Sequence, residues 1–221
     1  MKKLFAALLV LSLLSGCGRI ELGEAAGRLL PVSALALSFT PNGGVALTAE
    51  SIRQDSLDGD AAPVYLCAAG DTLDEVFDTA DQMLAHRLYL SHAQTIIVSP
   101  DFADARLDEL TGFLLSRRDA RLTMRIAVAH EASPEDVLRA EAIAEEIPGV
   151  ALASLLDQRA REERLPDLPL YRLLDRRLSG VDFSLPVLTV AADGHAQPAG
   201  QAQFTKGRFS GFAALREEAA A

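Results

Sequence analysis

The residues of this chain best suited to metal binding or nucleophilic work are four histidines, His86, His92, His130 and His195, and two cysteines, Cys17 and Cys67. A helical zinc site needs ligands one turn apart, and a thiolate site needs paired cysteines; the sequence offers neither spacing. There is no G-x-S-x-G elbow and no Gly-rich phosphate loop. His86 falls at the end of a predicted helix, where an imidazolium suits the helix dipole. His92 precedes a predicted strand and His130 follows the next one. If those strands are parallel, the two rings lie at opposite edges of the sheet and share no catalytic or metal site. The acid pairs Glu145-Glu146 and Glu162-Glu163 read as solvated helix faces, since neighbours on a helix diverge. Arg117-Arg118-Asp119 reads as a charged, solvated turn between helix and strand. The expectation is a chain with no catalytic residue, no cofactor and no metal, and therefore not an enzyme.

Cys17 stands apart because of what precedes it. Lys2-Lys3, the apolar stretch Leu4 to Leu14 and the small residues Ser15-Gly16 follow the order of a secretory signal peptide, predicted over residues 1–16. The apolar run is too short to span a bilayer permanently. Leu14-Ser15-Gly16-Cys17 resembles the bacterial lipobox, in which the peptide is cut before the cysteine and its sulfur is diacylated. Two acyl chains make a stable anchor where one is marginal, so Cys17 is the expected lipidation site and holds the domain at the outer face of a membrane. Gly18 carries no sorting signal between two membranes. With Cys17 acylated, Cys67 has no disulfide partner. It lies in the apolar run Val64 to Ala69 with no basic neighbour in sequence, and is expected as a small buried hydrophobe.

The formal net charge is -10. Residues 1–16 hold two lysines and no acid, so the remainder carries 31 acids against 19 bases. Such a balance repels nucleic-acid phosphates and suggests no polybasic patch for anionic lipid. Nucleic acid is excluded as a partner.

Residues 17–31 read as the lipidated cysteine and a linker, 32–214 as one domain, and 215–221 as an acidic, Ala-rich tail. Ser33 to Thr40 and Val45 to Ser51, joined at Pro41-Asn42-Gly43-Gly44, predict a β-hairpin. An exposed loop, 54–63, leads to a short strand at Val64 to Ala69. Thr72-Leu73-Asp74-Glu75 has capping-box spacing and opens a helix over about 73–86. A strand at Thr95 to Val98, a helix from Ser99-Pro100 to about Ser116 and a strand at Leu122 to Ala129 predict a strand-helix-strand unit with parallel strands. Leu122, Met124, Ile126 and Val128 share one face of the last strand. A helix begins at Ser133-Pro134 and is expected to end at Pro148-Gly149. Helices over about 151–164 and 168–178 follow, then strands at Val187 to Ala191 and Gln201 to Thr205 around Asp193-Gly194. The predicted class is α/β, a mixed sheet with helices packed on it.

Five stretches in order resemble the amino-terminal domain of the Ger(x)C family, the lipoprotein C subunits of spore germinant receptors. They are the lipobox at 14–17, Gly70 to Val76, Arg87 to Val98 with its Leu90-Ser91-His92, Phe113 to Arg121, and Gly200 to Phe204 with Gly211. Gly18 stands where the family usually has tryptophan, Ser38 to Thr40 where it has an acid, and family members continue into a further carboxy-terminal region. The resemblance implies a non-enzymatic role, assembly with membrane-embedded A and B subunits in nutrient-triggered germination. It places the chain on the outer face of the cell membrane, or on the spore inner membrane of a sporulating host. Two other classes remain open: a lipid-anchored small-molecule binder serving a transporter or sensor, and a surface hydrolase using His92 or His130.

Overall fold

The computed structural model describes residues 29–54, 61–84, 86–143 and 145–215. The predicted signal peptide, Cys17 and most of the linker and tail lie outside the described residues.

Strand β1, Leu29–Phe39, forms the predicted hairpin with β2, Val45–Gln54. Its turn closes by Gly43 N–H donating to the Thr40 carbonyl at 2.9 Å, and Gly43 takes φ +85°, which glycine adopts without steric cost. Strand β3, Ala61–Gly70, pairs antiparallel with β2. Helix α1, Leu73–Met83, starts where expected: the Thr72 hydroxyl accepts from Glu75 N–H. Strand β4, Arg87–Tyr89, and a 3-10 turn, Leu90–His92, lead into β5, Thr95–Val98. Helix α2, Pro100–Ser116, joins β5 to β6, Arg125–Ala129, and these two strands are parallel. Helices α3 (Pro134–Arg139), α4 (Pro148–Arg161) and α5 (Leu170–Leu178) precede β7, Phe183–Val190. Strands β8, Ala196–Thr205, and β9, Arg208–Ala213, complete a nine-stranded sheet ordered β3-β2-β1-β5-β6-β7-β8-β9, with β4 beside β1. Strands β1, β5, β6 and β7 run parallel at its centre, with an antiparallel meander on each side.

Period-two alternation decides which face each helix covers. Leu35, Leu37, Ile96, Val98, Ile126 and Val128 point to the face covered by α1, α2 and α5. Ala34, Ala36, Ala127 and Ala129 point to the other, where their small side chains admit α3 and α4 with Leu138, Leu152 and Leu156. The result is a three-layer α/β/α domain.

Several expectations shift. Strand β1 starts at Leu29, inside the expected linker, because Leu29 to Pro31 pair with β4. Strand β6 starts at Arg125, so Leu122 falls outside it and is 46% exposed, while Met124, Ile126 and Val128 do share the core face. The helix from Pro134 lasts only six residues. Pro148-Gly149 begins α4 and does not end α3, since proline at the first helical position gives up an N–H that has no partner there. Helix α1 stops at Met83, which leaves His86 beyond its last turn and exposed. Glu145 and Glu146 therefore precede a helix, and Glu162 caps the end of α4 with Glu163 just beyond, so neither pair forms a helix face.

Candidate functional site

The most built polar constellation lies on the face under α3 and α4, where the helices leave β2 and β3 thinly covered. Glu50, on β2, is fully buried. Its carboxylate accepts from the Ser33 hydroxyl, from Tyr65 Oη at 3.1 Å and from the Gly149 N–H at 2.8 Å. The last donor belongs to the first turn of α4, so a carboxylate caps a helix whose Ile147 N-cap offers no side-chain acceptor. Burial pushes the Glu50 carboxyl above the usual range, and the Ser33, Gly149 and Tyr65 donors only partly offset it. Burial also raises the Tyr65 phenol, helped by the Glu50 charge. A Cβ at position 149 would collide with Glu50 Oε1 and Ala34 Cβ, so glycine is what lets α4 reach the carboxylate.

Arg139, on α3, extends this group outward. Its guanidinium lies over the Tyr65 ring at 4.3 Å, pairs with Glu135 at 2.8 Å and reaches Cys67 Sγ at 3.4 Å. Cys67 is exposed, contrary to the buried hydrophobe expected of it. It occupies the same sheet face as Thr48, its cross-strand partner, and that face lacks helical cover at the β3 edge. The basic neighbour absent from its sequence is present in space.

A second constellation corrects the reading of Arg117 and Asp119 as a solvated turn. Their side chains are only 11% and 17% exposed. The guanidinium forks onto the carboxylate, Nε to Oδ1 at 3.0 Å and Nη2 to Oδ2 at 2.9 Å. Nη2 also donates to the Leu88 carbonyl at 3.1 Å, and Asp119 Oδ2 accepts from the Leu90 N–H at 2.9 Å. The Arg117 guanidinium further covers the Phe77 and Phe113 rings at 5.3 and 5.7 Å. Burial works against charge on Asp119, but the Arg117 and Leu90 hydrogen bonds outweigh it and hold the carboxyl below its ordinary range. This pair locks the end of α2 to the β4 and 3-10 segment, joining two stretches far apart in sequence. Arg118 stays exposed.

The histidines do not converge. His92 precedes β5 and His130 follows β6; the strands are parallel, so the rings sit at opposite edges. His130 stacks on Phe212 with centroids 4.0 Å apart. His195 Nδ1 lies 3.1 Å from the Glu141 carbonyl, in an apolar cleft between the β7–β8 turn and the start of α4. His86 and His92 line a groove at the start of β1. Among the described residues, no three of His, Cys, Asp or Glu come together to hold a metal, and no helix is long and apolar enough to cross a membrane.

The architecture defines a class: an α/β domain whose central parallel strands are flanked by antiparallel meanders and whose polar clusters serve to join elements. Residues 28–190 match the family model described as the spore germination protein N-terminal domain, and the chain belongs to that family. The Arg117–Asp119 lock, the Leu90-Ser91-His92 turn and the Glu50 cluster all fall within the match. The late hairpin, resembling the family at Gly200 to Phe204, and the lipobox lie beyond it. No curated protein and no solved structure matches the chain.

Proposed function

We propose that the chain is a lipid-anchored C subunit of a nutrient germinant receptor, held by diacylated Cys17 and acting through assembly with membrane-embedded A and B subunits. The observation that carries this reading is the family match over residues 28–190. The fold supports it, because the two polar constellations are engaged in holding helices to strands. The proposed role needs no catalysis and no cofactor. It places the domain on the outer face of the cell membrane, and on the spore inner membrane where the host sporulates. The apolar cleft beside His195 favours a second reading, a lipoprotein that captures a small molecule for a transporter or sensor.

Affinity capture of the lipidated protein from its own membranes separates the two. Recovery of multi-spanning A- and B-type subunits supports the receptor reading. Recovery of a transporter alone, or of no membrane protein, refutes it. Cys17→Ser is expected to release the chain from the membrane fraction, and retention there would refute lipid anchoring.

A further inference from the structure

Seven of the nine large hydrophobic side chains that the described residues expose lie at one end of the molecule, the edge from which the four parallel strands start. Met83 ends α1 at 59% exposed, and Leu115 nearly ends α2 at 54%. Leu122 (46%) and Tyr171 (46%) sit together before β6, where the Tyr171 N–H donates to the Leu122 carbonyl at 3.0 Å. Val64 borders the groove at the start of β1, and Leu178 and Val181 precede β7. Scattered single hydrophobics on a surface mean little, but this segregation to one edge is not scatter.

The charges segregate in part. Exposed Arg118 and Arg121 bracket this apolar strip beside Leu122. Exposed Asp101, Glu131, Glu135, Asp71 and Glu75 instead crowd the opposite edge, around the starts of α1, α2 and α3. Acids lie along the strip as well, several of them neutralised by arginines: Asp167 pairs with Arg125 and Arg172, and Asp81 with Arg87, while exposed Asp182 follows Val181.

The chain enters the domain at that same apolar edge. Leu29, the first described residue, lines its groove, and Cys17 lies twelve residues earlier. Twelve residues span roughly 19 Å if they follow coil statistics, whereas a domain of this size is roughly 40 Å across. A lipid on Cys17 therefore keeps the Leu29 edge, and not the opposite one, against the bilayer.

We propose that this edge is a lipid-contacting surface, with Leu122, Tyr171, Leu115 and Met83 seated in the headgroup layer and Arg118 and Arg121 on lipid phosphates. The mix of aliphatic, tyrosine and arginine side chains is the one that suits a membrane interface. The inference rests on the lipid-anchor reading of Cys17. It goes beyond that reading by fixing which way the domain faces: the opposite edge, with the starts of α1, α2 and α3, points outward.

The chain contains no tryptophan, so one can be introduced as a single reporter. The full chain carrying Leu122→Trp, Tyr171→Trp or Asn42→Trp is made with its leader, purified with its lipid and reconstituted into vesicles of brominated phosphatidylcholine with phosphatidylglycerol. Asn42 lies in the β1–β2 turn at the opposite edge. Each of the two apolar-edge reporters should lose roughly half its emission, because brominated chains reach groups seated about 5–10 Å into the interface. The Asn42 reporter should keep its emission. Vesicles that float with the protein while all three reporters are quenched alike, or none is, overturn the proposal and leave the anchor standing. Shielding at Leu122 only when membrane subunits are added overturns it too, in favour of a protein contact. Failure of the chain to float with vesicles overturns the anchor reading itself and this inference with it.

Discussion

Removing the Arg117 fork by Arg117→Ala tests the account of the α2 lock most directly. The change strands Asp119, 17% exposed, without its guanidinium partner, leaving it backbone N–H donors at Leu90 and at Asp119 itself, and takes a donor from the Leu88 carbonyl. Breaking a buried pair from one side costs about 3–5 kcal/mol, and the residual water contact of both groups reduces this toward about 2–4. Loss of the guanidinium from the Phe77 and Phe113 rings adds about 0.5–1 kcal/mol. For a domain of this size, a total near 3 kcal/mol lowers Tm by about 6–12 °C. Asp119→Asn keeps an acceptor for Leu90 and should cost less. A double-mutant cycle by urea unfolding should then give a coupling energy of about 1.5–3 kcal/mol between the two sites. Asp119 is held below its ordinary range, so the pair's contribution is full above the unfolded-state value of about 3.9 and fades as pH falls through the folded value. The gap between wild type and Arg117→Ala should therefore narrow in acid. Arg117→Lys keeps the charge but loses the fork, and should recover less than half of the loss. Additive single effects, or a penalty for Arg117→Ala under about 1 kcal/mol, would refute the lock as a coupled device.

Glu50 should give the opposite pH slope. Its folded-state carboxyl is raised, so stability falls as pH climbs from the unfolded-state value of about 4.3 through the folded one, and Glu50→Gln should flatten that fall in denaturation midpoints. An unchanged slope would show that Glu50 does not titrate in this window. Cys67 should react with a small maleimide in the folded protein at the rate of an exposed thiol, as mass spectrometry would report; labelling that requires denaturant would contradict its exposure.

What the sequence disclosed follows the range of the forces involved. The β1–β2 hairpin, the capping of α1, the β5-α2-β6 unit and its parallel sense all depend on local periodicity and on residues within a few positions of one another, and all were legible. Strands β4 and β9 were not, because three residues beside β1, or a short strand that alternates intermediate and exposed, exist only through their partners. The Pro148-Gly149 boundary was misread because the same dipeptide can follow one helix or open the next, and the choice falls to Glu50, 99 residues earlier. The Glu50 cluster itself gave no signal: alternation along β2 puts Thr48 and Glu50 on a face that looks solvated until α4 covers it. In sequence Arg117 and Asp119 read as a charged turn, and only the segment at Leu88 to Leu90, 29 residues away, makes them an interior pair. The resemblance within residues 28–190 was carried by segments that these long-range contacts join.

Strand β1 is paired first with β4 at Leu29 to Pro31, then with β2 from Val32 to Phe39 and with β5 over Ala34 to Leu37, so its middle is held on both flanks. A chain anchored ahead of Leu29 applies any pull along the axis of that strand. The bonds of the antiparallel ladder to β2 lie across that pull and those of the parallel ladders to β4 and β5 are slanted to it, so both are loaded in shear and not opened one after another. Resistance to such a pull is governed by the unfolding rate, so it would depend on the barrier to shearing β1 from its neighbours and not on equilibrium stability. Under the proposed lipid anchor, tension from a membrane that swells or compresses would enter the core along this central strand.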